Sequence, residues 1–491
     1  MKKTGKEKSM KKRINRAIGV LMLAFIVLFI AMGYYISDYA ISNKQELISN
    51  SYNTRAKILA AKNLRGTILD RNSEVLVSSY VNEEGKEIRN YAYGSLFAHS
   101  IGYSVNGRMG VEAQANYYLI NSNAPVSEKA KADASGTKYP GDNIYTTLDL
   151  KLQQVASDAM GVYKGAIIVT EPSTGKILAM VSKPDFDPAT VKENWDNYLA
   201  DKSSGVLVNR VTQGNYPPGS TFKILTALEY IRENPDKYNN YSYNCVGHIT
   251  NGEDTIRCYH GSVHGTVNFM KSFAKSCNSS FANIGLSLNK DKFGKTLNQL
   301  LYNKPLPTDL VCNSNKLTVN SETDDSDMIQ IVIGQGESNI SPLQLNMITC
   351  SIANNGELMK PYIIDRVENC EGTLIKKFRP ESYGNLVTEK ESQILKEMME
   401  DVVLEGTGTR LKGMPYYAGG KTGSAEYGII KGDSHAWFTG YAGMIDENSE
   451  DSGDITPIPD VCVTVIIEAA GSGGEYAVPI AKRIFDAYYG L

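Results

Sequence analysis

The strongest feature of the hydrophobic pattern is the run from Ala17 to Ser37, AIGVLMLAFIVLFIAMGYYIS, which holds no charged residue. About twenty apolar residues are what an α-helix needs to cross a hydrocarbon core. The run is long for the apolar part of a cleaved signal, and no A-x-A site follows it, so it predicts one retained transmembrane helix. No other stretch reaches that length. Residues 38–62 read as an amphipathic helical stalk. From 63 to 149, short strand-like runs such as RGTILDRNSEVLVSSY lie between Gly, Asn and Ser turns, and 121–141 (NSNAPVSEKAKADASGTKYPG) reads as an exposed loop or hairpin. From Leu150 the texture changes. KLQQVASDAM predicts a helix, and GAIIVTEPSTGKILAMVS predicts two strands around the turn Pro172–Gly175. Near the end, HAWFTGYAGMI and DVCVTVIIEAAG predict strands and AVPIAKRIFDAYYG a closing helix. Strands first, helices in the middle and strands last predict an α+β fold, with an antiparallel sheet that joins the two ends of the segment and is flanked by helices. The chain thus divides into a tail (1–16), an anchor (17–37), a stalk and small elongated α+β domain (38–149) and a large domain (150–491).

Charge adds direction. Residues 1–16 hold eight cations and one acid, and the rest of the chain is net acidic. The positive-inside rule then puts the tail in the cytoplasm and residues 38–491 outside, with Tyr34 and Tyr35 at the outer interface. An acidic body excludes nucleic acid as a partner, since phosphate neutralisation needs clustered Lys and Arg. At 42% hydrophobic and 21% charged residues, a disordered chain is excluded as well. Cys245, His248, Cys258, His260 and His264 fall within twenty residues and raise the question of zinc. The spacing lacks a paired C-x₂-C, so a Cys245–Cys258 disulfide or two free thiols is the expectation, with no metal and no cofactor.

The candidate chemistry centres on YPPGSTFKIL, residues 216–225. Two prolines and a glycine make a turn, and TFKILTALEYI has helical period, so Ser220 sits at a helix start with a backbone N–H free to face an anion. Lys223 shares its face. A serine hydroxyl needs a base, and a lysine serves only if burial or a second cation lowers its pKa. Ser-x-x-Lys occurs six times in the chain, and the turn-to-helix context singles out this one. Ser276 and Asn278 of KSCNSSF, on a predicted loop between helices, can relay a proton and hold an amide. Beyond the basic tail, Lys-Thr-Gly occurs once, in GGKTGSAE at 419–426. Its Lys421 would supply the second cation, and its glycines would let a ligand approach the strand.

In this order, Ser-x-x-Lys, Ser-x-Asn and Lys-Thr-Gly are the motif set of penicillin-binding proteins and serine β-lactamases. The chain resembles class B penicillin-binding proteins of the penicillin-binding protein A-like type, along nearly its whole length. Arg65–Asn72 (RGTILDRN) and Gly107–Glu112 (GRMGVE) resemble segments of that family's N-terminal pedestal, with Ser73 where the pattern has Gly. Thr147-Leu148-Asp149, Tyr216–Ser220 and His435–Gly440 fit as well. The resemblance implies a monofunctional peptidoglycan D,D-transpeptidase. Ser220 would be the nucleophile, Lys223 its base, and the N–H groups of Ser220 and Ser424 the oxyanion hole. Ser276 would relay the proton, Asn278 hold the substrate amide, Lys421 set the electrostatics, and Thr422, Gly423 and Ser424 bind substrate. Expected partners are stem peptides, β-lactams, the cell membrane and a SEDS-type glycan polymerase, because 38–149 is too short for a glycosyltransferase domain. A β-lactamase is disfavoured, since no Glu-x-x-Leu-Asn segment is found. The intact motif set disfavours a non-catalytic scaffold. The choice between water and an amine as acceptor rests on the resemblance alone.

Overall fold

The computed structural model describes residues 5–42, 54–427, 434–444 and 458–491. It divides into two compact units, residues 1–62 and 63–491. The first contains the helix Gly5–Ser42, whose portion Glu7–Tyr39 includes an 18-residue stretch of mean hydropathy 2.6 and is long and apolar enough to cross a membrane. The expected stalk is helical over Thr54–Lys62, and its positions 43–53 lie outside the described residues.

In the second unit, five antiparallel strands form the central sheet, in the order Tyr417–Glu426, Ser434–Gly443, Val461–Ile467, Gly165–Thr170 and Ile177–Lys183. Cys462 pairs with Thr170, so the last strand closes on the first, as the sequence pattern anticipated. The strands Val461–Ile467, Gly165–Thr170 and Ile177–Lys183 are mostly apolar because both faces are covered. Ala166 and Ile168 enter one core with Phe222, Leu343 and Met398, while Ile167 and Val169 enter another with Leu152, Ile484 and Phe485. The predicted helices at both ends of this segment are Leu150–Met160, capped by Asp149 accepting from Leu152 N at 3.1 Å, and Val478–Tyr489.

A second, six-stranded sheet runs Leu374–Lys377, Ile364–Glu368, Asn143–Thr146, Ile68–Leu69, Val75–Val81 and Glu87–Tyr91. Two of its strands come from beyond residue 360. The two pedestal-like segments meet here: Arg65 pairs with Glu112 at 2.5 Å. Ser73 adopts φ 73°, the left-handed conformation that glycine takes most easily. The 121–141 segment is not a hairpin. It holds the helix Val126–Ser135, closed by Gly136 at φ 64°. Its Ser, Asn, Gly and Pro content marks the two ends of a solvent-facing helix rather than a loop.

Candidate active site

Ser220 lies on a 3₁₀ turn, Gly219–Phe222, that runs into the helix Lys223–Glu233. The turn is fastened on three sides. Gly219 N donates to Gly334 O at 2.9 Å, Trp437 Nε1 donates to Pro217 O at 3.0 Å, and Tyr216 exchanges backbone bonds with Ile340. Trp437 is fully buried and serves this packing. Gly219 has φ 54°, and a Cβ there would stand 2.8 Å from Ser424 O. Only glycine lets the turn lie so close against the edge strand Tyr417–Glu426, where a Cβ on Gly423 would likewise stand 2.8 Å from Pro218 O. Ser220 and the Lys421–Ser424 segment are thereby brought together. Neither the hydroxyl nor the backbone N–H of Ser220 has a hydrogen-bond partner among the described residues.

Lys223 and Lys421 are both fully buried. Lys223 Nζ donates to Ser276 O (2.7 Å), Asn278 Oδ1 (2.7 Å) and Ser276 Oγ (3.2 Å). Lys421 Nζ donates to the same Ser276 Oγ at 3.0 Å and to Thr422 O at 3.2 Å. The Ser276 hydroxyl therefore bridges two amines. Ser276 holds φ 55°, a strained conformation for a residue with a side chain, on the loop after the helix Phe269–Ala274. Asn278 is not on that loop but opens the helix Asn278–Ser287. Its Nδ2 donates to Arg257 O at 2.9 Å, which turns Oδ1 toward Lys223.

Burial sets the electrostatics. It pulls Lys223 down to about 8, against the neighbouring Cys277 and Cys258, which act the other way. It pulls Lys421 down further, assisted by the charge of Lys223. Two ammonium groups on one hydroxyl oxygen do not both stay charged in a dry site, so the pair shares its last proton near neutral pH. This is the poise that a lysine base requires. The expected consequence is a rise in Ser220 acylation of about twentyfold between pH 6.5 and 8.5, as the neutral fraction grows through a pKa near 8. A pH series of single-turnover acylation by a penicillin checks it, and a flat profile would contradict it.

The remaining sequence-predicted groups are near but differently engaged. Thr422 Oγ1 is hydrogen-bonded to Thr407 Oγ1. Ser424 Oγ accepts from Gly473 N at 3.3 Å, which leaves its own hydrogen free to donate. Thr407, Gly473 and Arg257 were not singled out in the sequence. They carry no motif and reach the site only through the fold.

Comparison with known proteins bears on the same residues. The family described as the penicillin binding protein transpeptidase domain matches residues 165–486. Peptidoglycan D,D-transpeptidase PbpA of Mycolicibacterium smegmatis is 28% identical, over 96% of this chain and 98% of its own. Penicillin-binding protein A of M. tuberculosis, solved as an imipenem acyl-enzyme complex, superposes with a TM-score of 0.75 at 25% identity, over 87% of this chain and 99% of the other. A structure described as the coordination of polymerization and crosslinking by a peptidoglycan synthase complex shares the fold at TM-score 0.71 and 21% identity, over 97% of this chain and 98% of the other. The match spans the central sheet, the Ser220 turn and the lysine pair: the chain belongs to the penicillin-binding protein transpeptidase family.

Proposed function

We propose that this chain is a membrane-anchored peptidoglycan D,D-transpeptidase that works through a Ser220 acyl-enzyme. The observation that carries the reading is the bridging of two buried amines by Ser276 Oγ, in a site whose Ser220 hydroxyl has no hydrogen-bond partner among the described residues. In the resting site all three N–H groups of a charged Lys223 are engaged, and loss of one proton frees a lone pair for the Ser220 hydroxyl. A substrate carboxylate beside Lys421 favours the charged form there and hence the neutral form of Lys223. Ser220 Oγ then attacks the carbonyl of a D-Ala-D-Ala bond. The N–H groups of Ser220 and Ser424 receive the oxyanion, a contribution worth ~10²–10³ in rate per donor. Ser276, hydrogen-bonded to both amines, returns the proton to the leaving D-Ala nitrogen, and Asn278 holds the substrate amide. The amine of a second stem peptide takes the acyl group, and Ser220 is regenerated.

The basic tail supports an N-terminus in the cytoplasm and a catalytic domain outside it. The likeness to the synthase complex, which covers the anchor region as well, supports a SEDS-type polymerase as the partner that supplies glycan.

Membranes labelled with fluorescent penicillin provide the test. The wild type should take up label that survives a chase of hours, with the adduct on the Ser220 peptide, and Ser220→Ala should take up none. Rapid loss of label would mark a hydrolase instead, and undiminished labelling of Ser220→Ala would sink the reading.

A further inference from the structure

Cys245, Cys258, His264 and Cys277 bring their donor atoms within 4.8 Å of one another. They come from four separate places: the end of the strand Ser242–Cys245, the residue after the strand Asp254–Arg257, the residue before the strand Gly265–Asn268, and the N-cap residue before the helix Asn278–Ser287. The three cysteines are buried and unbonded, and His264 is half-buried. The other two histidines of the sequence cluster, His248 and His260, stay exposed and outside it.

The spacing is that of a coordination shell. A tetrahedral zinc with Zn–S of about 2.3 Å and Zn–N of about 2.0 Å sets sulfurs about 3.8 Å apart and a sulfur and nitrogen about 3.5 Å apart. Cys245 Sγ lies 3.7 Å from Cys258 Sγ, and Cys258 Sγ 3.8 Å from Cys277 Sγ. His264 Nδ1 lies 3.3 Å from Cys245 Sγ. A disulfide would need about 2.0 Å. The surroundings also suit thiolates. Ser279 Oγ donates to Cys245 Sγ at 3.2 Å, Gly247 N to Cys245 Sγ at 3.4 Å and Ser280 N to Cys277 Sγ at 3.4 Å. Donors aimed at two of the three sulfurs are the kind of contact that fixes and tunes metal ligands.

We propose that Cys245, Cys258, His264 and Cys277 bind one Zn²⁺ that fastens the 242–268 segment to the Ser276–Asn278 motif. Three thiols release three protons and, with a neutral imidazole, close a four-coordinate shell of net charge −1. No position is left for water or substrate, so the metal is structural. Three sulfurs and one nitrogen in a tetrahedron select zinc over hard cations. The segment it holds is two two-stranded sheets, one hairpin nested between the strands of the other, with Ile256 and Val267 their main buried aliphatic side chains, a size of unit that needs a staple. The consequence reaches the active site through two adjacent bonds. Cys277 separates Ser276 from Asn278, and Arg257, whose carbonyl holds Asn278 Nδ2, precedes Cys258.

The test uses the full chain in detergent, with metal counted by mass spectrometry and Ser220 acylation followed by fluorescent penicillin. Wild type and Ser220→Ala should each hold about one zinc per chain, whereas His264→Gln and Cys258→Ser should hold less than about one fifth. Because zinc is counted without substrate, this result is independent of the reaction proposed above. Stripping zinc with a strong chelator should slow acylation about tenfold or more, and adding zinc back should restore it. His264→Gln, at a half-buried position, keeps the test open if Cys258→Ser does not fold. A folded wild type without zinc after incubation with zinc, a Cys245–Cys258 disulfide found in the purified protein, zinc retained by both ligand variants, or acylation unchanged after zinc removal would each overturn the proposal.

Discussion

Lys223→Met and Lys223→Arg are both expected to slow acylation of Ser220 by about 10³-fold, the middle of the range that a positioned base contributes. The two variants fail for different reasons. Methionine keeps the apolar stem that packs in the core but leaves Ser276 O and Asn278 Oδ1 without the amine they accept from. Arginine keeps a cation but does not deprotonate near neutral pH, so it cannot accept the Ser220 proton. If the lysine acted only through its charge, the arginine variant would retain most of the rate. Stopped-flow acylation that resolves the bound complex from the covalent step decides between these. A base appears in the covalent rate constant, with little change in the initial binding of penicillin. Lys421→Met should differ, weakening that initial binding as well, because Lys421 is the cation nearest the Thr422–Ser424 strand.

The three motifs were legible in the sequence because each is local. A Pro-Pro-Gly turn before an apolar-periodic run places Ser220 and Lys223 within one helical turn wherever it occurs. Their assembly was not legible. Lys223 meets Ser276 across 53 residues and Lys421 meets it across 145, and both contacts depend on how helices pack on the sheet. Resemblance to a family supplied what periodicity could not. The six-stranded sheet shows the same limit, for its strand Ile364–Glu368, which carries Leu374–Lys377 on its other side, follows its partner Asn143–Thr146 by more than 200 residues. Val126–Ser135 was hidden for another reason. A helix with one buried residue, Ala132, carries almost no apolar stripe to read. Cysteine spacing hid the four-residue cluster for a related reason. Zinc-finger patterns assume ligands close in sequence, whereas here Cys277 arrives from a helix start that the catalytic motif already claimed.

Glu112→Gln is expected to destabilise the small sheet by about 3–5 kcal/mol, the scale of breaking a buried ion pair from one side. Glu112 is fully buried, with one carboxylate oxygen 2.6 Å from Arg65 Nε and the other 2.7 Å from Arg89 Nε. Burial alone would raise its pKa, but the two guanidinium groups outweigh it and hold the carboxyl below its usual range. A depressed carboxylate contributes stability that is present above the unfolded pKa and is lost as pH falls through the folded one. The glutamine variant should therefore lose stability most at neutral pH and converge on the wild type in acid, where the wild-type carboxylate is protonated too. Arg65 and Arg89 also hold Asn116 Oδ1 and Gly66 O, so in the variant two cations stay locked together with no anion between them. Urea unfolding at pH 7 and at about pH 2, below the depressed range of the folded carboxyl, with proteolysis mapped to residues 63–149, separates this from a general loss of fold. A difference between variant and wild type that is the same at both pH values would mean that shape, not charge, is what Glu112 contributes. Ser220 lies in the other sheet's framework, so penicillin acylation at 25 °C should persist in the variant.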